Sequence, residues 1–341
     1  MLIVRHREVR NILAGREGEV VDIVRVAYRL HDDGRTVLPH STFLRLPSAD
    51  GGSENRNRII GLPAYLGGET GTAGLKWVAS FPGNIERGID RASAVIVLNS
   101  LRTGHPEALI EGSLISATRT AASAALASDV LVSDPEISGV ALIGCGVINL
   151  AVLRFLRVVR PRLTRATVFD VDPIRAAAFV RKCADVVPGL TVTVAGSHEQ
   201  ALAAHDLVSI ATTAATPHLG PTACRPGATV LHLSLRDLVP EAILASHNVV
   251  DDADHVCREA TSLHLTEQLT GDRRFIDASL GTLLRPGAQL HRDPTKAVVF
   301  SPFGLGVLDL AVARLVWDEA VRQGLGIRVD DLLPVPGLVT A

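Results

Sequence analysis

Residues 139–156 read GVALIGCGVINLAVLRFL, and this run limits the possible folds more than any other part of the chain. An apolar stretch from Gly139 to Ile143 meets Gly144-Cys145-Gly146, and a second apolar stretch continues to Val159 until Pro161 stops it. A buried strand, a glycine turn and a helix over about Val147 to Val159 account for that order. A membrane span does not, because Ile137–Leu153 falls short of the ~20 apolar residues required and carries Gly139, Gly144, Gly146 and Asn149 within it.

A turn between strand and helix is where a dinucleotide fingerprint sits. Gly144 permits the tight bend, and Gly146 lets the backbone approach a pyrophosphate whose charge rests at the helix N-terminus. Val147, Ile148 and Asn149 open that helix, with Asn149 where the fingerprint would carry its third glycine, so the cofactor set predicted from this turn is Gly144, Gly146, Val147, Ile148 and Asn149. The continuation ATVFDVDP ends a second apolar strand at Asp170, where an acid can bond both ribose hydroxyls. A carboxylate there would repel a 2′-phosphate, which favours NAD over NADP. Asp170 and Asp172 can equally be N-terminal caps for a helix opening at Pro173.

Strands and helices go on alternating: a helix near Ile174–Val187, a strand at Thr191–Val194, a helix near Glu199–Ala204, a strand within 206–217, then strands at Thr229–Leu233, Asn248–Asp251 and Ala297–Ser301. This is the pattern of an α/β, Rossmann-type doubly wound sheet. Thr212 and Thr213 fall at the carboxyl end of a strand, where such sheets place ligand contacts, and they join the expected cofactor set near the nicotinamide; a satisfied strand-end threonine is also ordinary there. Residues 1–118 have another character, with strand-like VLPHSTFLRLP, GLPAYL, AGLKWVASFP and SAVIVLNS broken by turns. They predict a separate domain, of α+β type. SLISATRTAASAALASDVLV reads as a long helix, and GVLDLAVARLVWDEAVRQG as an amphipathic one with Leu308, Val312, Leu315 and Val316 on one side. The expected division is 1–118 with 308–341 for the first domain and 119–307 for the cofactor domain.

Composition removes several classes of function. A formal charge of -2 and 4% aromatic content leave neither a basic excess for a phosphate backbone nor many stacking platforms, so no nucleic acid is expected. Four cysteines form no CxxC pair, and the N-terminal MLIVRHREVRNIL is broken by charge before a signal-peptide core can form, which points to a reduced, cytoplasmic chain. Twelve histidines fall without an HExxH spacing, and no metal is implied. There is no GxSxG elbow for a serine nucleophile. His218, after a strand-end Thr216-Pro217, is the one histidine to watch, and a loop histidine without a catalytic role is its plainer reading.

RIIGLPAYLGG, AGLKWVASFPGN, RASAVIVLN, SATRTAASAALAS, GCGVIN, HLSLRDL and SPFGLGVLDL together resemble the ornithine cyclodeaminase/mu-crystallin family over nearly the whole chain. ASFPGN, GCGVINLAVLRFL and HLSLRDL are most similar to its branch of N-(2-amino-2-carboxyethyl)-L-glutamate dehydrogenases, which make 2,3-diaminopropionate for siderophores and peptide antibiotics. The resemblance implies NAD as cofactor, a small amino-acid substrate, and a first domain that is a substrate-binding and dimerisation domain, forming a homodimer.

It also implies site residues. Arg45, Lys76 and Arg119 match the family's substrate-carboxylate cations, and Asp237 matches its catalytic carboxylate, with Lys76 counted in the catalytic set too. From the residues alone, Lys76 between Leu75 and Trp77 can be an ordinary strand lysine, whereas Arg119 on a helix of Ala and Ser is harder to explain as a solvated face. Asp237 can be an N-cap for VPEAILAS. Where ornithine cyclodeaminases carry GSDxPG, this chain has Leu235-Arg236-Asp237-Leu238, and the extra arginine suits a substrate with more negative charge or a surface pair to a carboxylate. The implied reaction is oxidation of a secondary amine followed by hydrolysis of the imine. Ornithine cyclodeamination, ketimine reduction and non-catalytic binding like that of mu-crystallin are the alternatives.

Overall fold

The computed structural model of the chain describes residues 1–46, 57–69, 71–220 and 222–333. Internal contacts divide the chain into two units, one of Met1–Arg16, Asp33–Ser116 and Gly306–Ala341, the other of Glu17–Asp32 and Ala117–Leu305.

The first unit is built on an eight-stranded sheet. Its order is Ile327–Arg328, Leu2–Val4, Pro106–Glu111, Ala92–Asn99, Thr72–Ser80, Arg58–Leu66 and Thr36–Val37, with Thr42–Arg45 also pairing with Arg58–Leu66. Alternation decides which face is buried: in Ala92–Asn99 the residues Ala94, Ile96 and Leu98 are buried while Val95 stays exposed. The helix Gly306–Arg322 lies over the buried face, with Leu308, Val312 and Val316 enclosed. Gly306 is in contact range of Leu62 and Ala64, and a Cβ on Gly74 would come within 2.1 Å of the Val97 carbonyl oxygen, so only glycine lets those strands and the helix come so close.

The second unit holds eight strands in the order Thr191–Val194, Arg165–Phe169, Gly139–Ile143, Leu207–Ile210, Thr229–His232, Val298–Ser301, His247–Val250 and Ile276–Ser279, each parallel to its neighbours. Helices on both faces bury such strands completely, and every residue of Gly139–Ile143 is buried, which is why it reads as an unbroken apolar run. The strand order turns back between Gly139–Ile143 and Leu207–Ile210, the switch point at which these sheets bind ligands. The strand expected within 206–217 is only Leu207–Ile210, so Thr212 and Thr213 stand beyond its end. Among the described residues no helix is long and apolar enough to cross a membrane.

One assignment needs correction. The span 1–118 is not a single domain, because helix Glu17–Asp32 belongs to the second unit. It buries Val20, Val21, Val24, Ala27 and Tyr28, packs against helices Val147–Val159 and Leu280–Leu283, and joins Tyr28 Oη to Ser123 Oγ at 2.5 Å. Its apolar stripe shows that it is buried but carries no information about which core receives it.

Candidate functional site

In the second unit the glycine turn is fixed by what surrounds it. Gly144 has φ +92°, and a Cβ there would fall 2.4 Å from the Ala211 carbonyl oxygen, so the position excludes other residues twice over. Gly146 differs: nothing lies within 4 Å of where its Cβ would be, and it caps helix Val147–Val159 without any side-chain hydrogen bond. An exposed glycine before the unsatisfied N–H groups of a helix is a cradle for an anion, with Val147 exposed beside it. Asp170 lies at the end of Arg165–Phe169. One of its carboxylate oxygens accepts from Cys145 N at 2.8 Å, inside the turn, and the other from Asp172 N at 3.0 Å. Asp172, not Asp170, caps the next helix, accepting from Ile174 N and Arg175 N.

Asn149 is a correction to the cofactor set. It is fully buried, its amide donates to the carbonyls of Ile143 (3.0 Å) and Gly144 (2.7 Å), and its oxygen accepts from Ser209 Oγ at 2.7 Å. The side chain ties the turn to the neighbouring strand and has no face left for a ligand. Ile148 is half-buried in the helix's first turn.

Asp237 is enclosed at the carboxyl end of Thr229–His232, with no side-chain exposure. Thr212 Oγ1 donates to one carboxylate oxygen and Ser234 Oγ to the other, each at 2.5 Å, while His232 Nε2 stands 3.3 Å from the second. Burial raises its pKa, but the contacts with His232, Ser234 and Thr212 outweigh it and hold the carboxyl below its ordinary value. The cap role is absent: Val239 is the N-cap of helix Pro240–Leu244. His232 is itself linked through Nδ1 to Ser301 Oγ at 3.1 Å, so a chain of polar groups runs from Thr212 through Asp237 and His232 to Ser301. Thr212 also accepts from Ala214 N at 3.0 Å, whereas Thr213 is exposed. His218 is exposed and reaches only the Thr216 carbonyl, at 3.4 Å.

Arg236, next to Asp237 in the chain, is half-buried. It donates to the Glu259 carbonyl at 2.7 Å, joining the left-handed residue Leu235 (φ 69°) to a second left-handed turn at Glu259 and Ala260. Arg119 is buried, and its guanidinium lies against Gly304, where a Cβ would meet Nη1 at 2.7 Å. Gly304 is in turn held by Asp251, whose carboxylate accepts from the backbone N–H groups of Asp252, Phe303 and Gly304. Burial raises the Asp251 pKa to about 6 despite the opposing hydrogen bonds from those three.

In the first unit Lys76 is buried, with Nζ 2.6 Å from Asp309 Oδ2 and 3.3 Å from Ser116 Oγ. Asp309 has no exposure. Arg45 is exposed at the end of Thr42–Arg45, its guanidinium over the Phe43 ring at 5.7 Å. Asp251, His232 and Asp309 do not stand out in the sequence. Only Asp309 leaves a trace there, in VLDLAV, since a lone acid in an apolar helix must find a partner where it is buried.

Asp251 gives the folded chain a pH dependence. Its carboxyl titrates at about 6, above the ordinary 3.8, so between those values the folded chain holds a proton that the unfolded chain has released. Its contribution to stability is largest at the acidic end and falls as pH rises, by about 3 kcal/mol across the window at ~1.4 kcal/mol per unit. In urea unfolding at about pH 4 and about pH 6, Asp251→Asn is expected to lose this slope relative to the parent chain.

The sequence profile of the ornithine cyclodeaminase/mu-crystallin family matches residues 8–324. N-((2S)-2-amino-2-carboxyethyl)-L-glutamate dehydrogenase of Staphylococcus aureus is 27% identical over 332 residues, 96% of this chain and 97% of that one. The structure of Thermococcus litoralis Δ1-pyrroline-2-carboxylate reductase with NADH and L-proline superposes with a TM-score of 0.88 at 25% identity, covering 96% of this chain and 100% of that one. The crystal structure of CmnK does so with a TM-score of 0.88 at 30% identity, covering 98% and 99%. With residues 8–324 matched by the family's profile, the chain belongs to the ornithine cyclodeaminase/mu-crystallin family.

Proposed function

We propose that the protein is an NAD-dependent enzyme that oxidises N-(2-amino-2-carboxyethyl)-L-glutamate at its secondary amine and hydrolyses the product to L-2,3-diaminopropionate and 2-oxoglutarate, supplying siderophore or peptide-antibiotic biosynthesis. The observation that carries the reading is the open cradle at Gly146 joined through Cys145 to Asp170, on the unit that also holds the buried Asp237. The S. aureus dehydrogenase supports the choice of substrate.

NAD, when bound, takes the hydride from the glutamate carbon that carries the secondary amine. Gly144 shapes the turn, Gly146 and the N-terminus of helix Val147–Val159 receive the pyrophosphate, and Asp170 accepts from the ribose hydroxyls. Loss of hydride and the amine proton leaves an imine, to which water adds. The proton of that water passes through the half-buried Thr212 hydroxyl to Asp237, which is ready to accept because it is held ionised. Asp237 returns that proton to the imine nitrogen to complete the carbinolamine, then takes the proton of the carbinolamine's hydroxyl group. The C=O of 2-oxoglutarate forms as the C–N bond breaks, and the second proton passes to the leaving nitrogen, so both hydrogens of the water end on the amine. Arg119, Lys76 and Arg45 bind substrate carboxylates, with Asp309 and Ser116 fixing where the Lys76 ammonium points.

Purified protein with NAD and this substrate is expected to form NADH and 2-oxoglutarate in equal amounts. A cyclodeaminase would return the hydride to its own intermediate and accumulate no NADH. Asp237→Asn should lower turnover about 10²–10⁴-fold with NAD affinity retained, and near-parental NADH formation would remove Asp237 from the chemistry. Fluorescence titration should give tighter binding of NAD than of NADP, because Asp170 repels a 2′-phosphate; equal affinity would take the ribose role from it.

The homodimer is proposed on a second ground. Leu44, Tyr65, Trp77 and Val95 share the sheet face opposite Lys76 and remain exposed, Trp77 by 42% and Val95 by 38%. A second copy of this chain is the occupant such an apolar face fits. Light scattering at micromolar concentration should give twice the chain mass, and a monomeric mass would contradict the assignment.

A further inference from the structure

Residues opposite each other in a parallel pair leave the sheet side by side. Val250 is the register partner of Ser301, so Asp251 stands beside the segment that follows the neighbouring strand. Its carboxylate accepts there from Phe303 N at 2.9 Å through one oxygen and from Gly304 N at 2.7 Å through the other. Ser301, at the near end of that segment, lies 3.1 Å from His232 Nδ1. Residues 301–304 are thus held at both ends.

Gly304 is the residue against which Arg119 lies. Its φ of +96° is in the left-handed region, and a Cβ there would fall 2.7 Å from Nη1 and 2.9 Å from Nη2 of Arg119, so the guanidinium rests on a bare α-carbon. A shift of the Gly304 backbone toward the guanidinium closes that space, and a shift away opens it. Tyr28 reaches the same place from helix Glu17–Asp32. Its hydroxyl meets Ser123 Oγ, one turn on from Arg119 in helix Ser113–Leu131. Burial, then the charge of Asp251, raise the Tyr28 pKa against the hydrogen bond with Ser123 and the charge of Arg119, so carboxylate and guanidinium share this buried neighbour.

The Asp251 charge is held at a cost, since burial raises its pKa to about 6 against the pull of three N–H groups. Costs of that kind gather at sites whose geometry serves function more than stability.

Resting on the carboxylate role given to Arg119 above, we propose that Asp251 is a positioning residue for substrate binding: by holding Phe303 and Gly304 it fixes the Arg119 guanidinium where it accepts a substrate carboxylate. Asp251 acts through Gly304 and not on the substrate. Ionised, it offers both oxygens as acceptors. Protonation makes one of them a donor facing N–H groups and frees the segment, so affinity for carboxylate ligands falls as pH drops through about 6. Other groups bear on this turn. At Asp252 burial is outweighed by hydrogen bonds from His31 and from His255 N, which hold it at about 2. The His31 imidazole lies 3.0 Å from Asp252, and the His255 ring 6.3 Å from that of Phe303.

Calorimetric titration of the full chain, saturated with NADH, with 2-oxoglutarate reads carboxylate binding without turnover, and KM and kcat for N-(2-amino-2-carboxyethyl)-L-glutamate read it during turnover. At about pH 7.5 Arg119→Gln should weaken 2-oxoglutarate about 10- to 100-fold. Asp251→Asn, which keeps the size but has one accepting oxygen, should weaken it about 10-fold, the loss appearing in KM rather than kcat and NADH affinity being retained. Between about pH 7.5 and about pH 5.5 the parent chain should lose about 3-fold in affinity and Asp251→Asn should lose none, which separates Asp251 from His31 and His255. Unchanged affinity in a folded Asp251→Asn chain, with Arg119→Gln impaired, overturns the positioning role and leaves the carboxylate role of Arg119 standing. If Arg119→Gln also binds normally, both roles fall. A loss of NADH affinity as large as that of 2-oxoglutarate marks a general loosening of the unit and overturns the proposal. Should Asp251→Asn fail to fold, Asp251→Ser makes the same comparison, and a flat pH dependence of the parent chain overturns the proposal without any variant. If the parent chain forms no NADH yet 2-oxoglutarate binding depends on both residues, the activity falls and the positioning role stands. If the enzyme is active and its KM ignores Asp251, the positioning role falls and the activity stands.

Discussion

A carboxylate withdrawn from water has to be satisfied by the fold around it, and three such groups organise the polar parts of this protein. Asp237, Asp251 and Asp309 are each at most 2% exposed. Asp309 meets its need with the Lys76 ammonium, Asp251 with three backbone N–H groups, and Asp237 with two hydroxyls and an imidazole. The different partners produce different charge behaviour. Hydrogen bonds and an adjacent histidine keep Asp237 acidic, whereas neutral amides only partly offset the burial of Asp251. Each also fixes a piece of chain: the loop after a strand, the turn under Arg119, the direction of a lysine.

The parts of the fold that the sequence makes plain are those set by local periodicity. The strand Gly139–Ile143, the helix Val147–Val159 and the helix Ser113–Leu131 follow from runs whose spacing leaves little choice. Gly144 and Gly146 are legible because backbone geometry admits few residues there. What stays hidden depends on partners distant in sequence. Asn149 occupies a fingerprint position, and only the approach of Ser209 from a neighbouring strand reveals it as a tie within the core. His232 is one more residue in an apolar strand until Asp237 and Ser301 are seen on its two nitrogens. Asp237 precedes a helix and could pass for a cap, yet its carboxylate turns inward.

Arginine placement illustrates the same limit. Arg45, Arg58 and Arg91 are separated in sequence by turns and a strand, so no window contains them together. Antiparallel register brings two of them side by side, and one hydroxyl brings the third. The sequence suggests additional positive charge next to Asp237 because Arg236 is its neighbour in the chain. In space Arg236 also donates to the Glu259 carbonyl, in a turn of left-handed residues far along the chain.

The exchange of helix Glu17–Asp32 into the second unit has a consequence for the chain as a whole. The backbone passes from one unit to the other at Arg16/Glu17, Asp32/Asp33, Ser116/Ala117 and Leu305/Gly306. Neither unit is an uninterrupted segment, so no single cut releases either one complete, and ribosomal synthesis finishes the second unit before the first has received its closing helix. Recombination faces the same arrangement. A splice that imported a foreign cofactor-binding unit would have to replace two separated stretches at once, which ties the inheritance of the two units together.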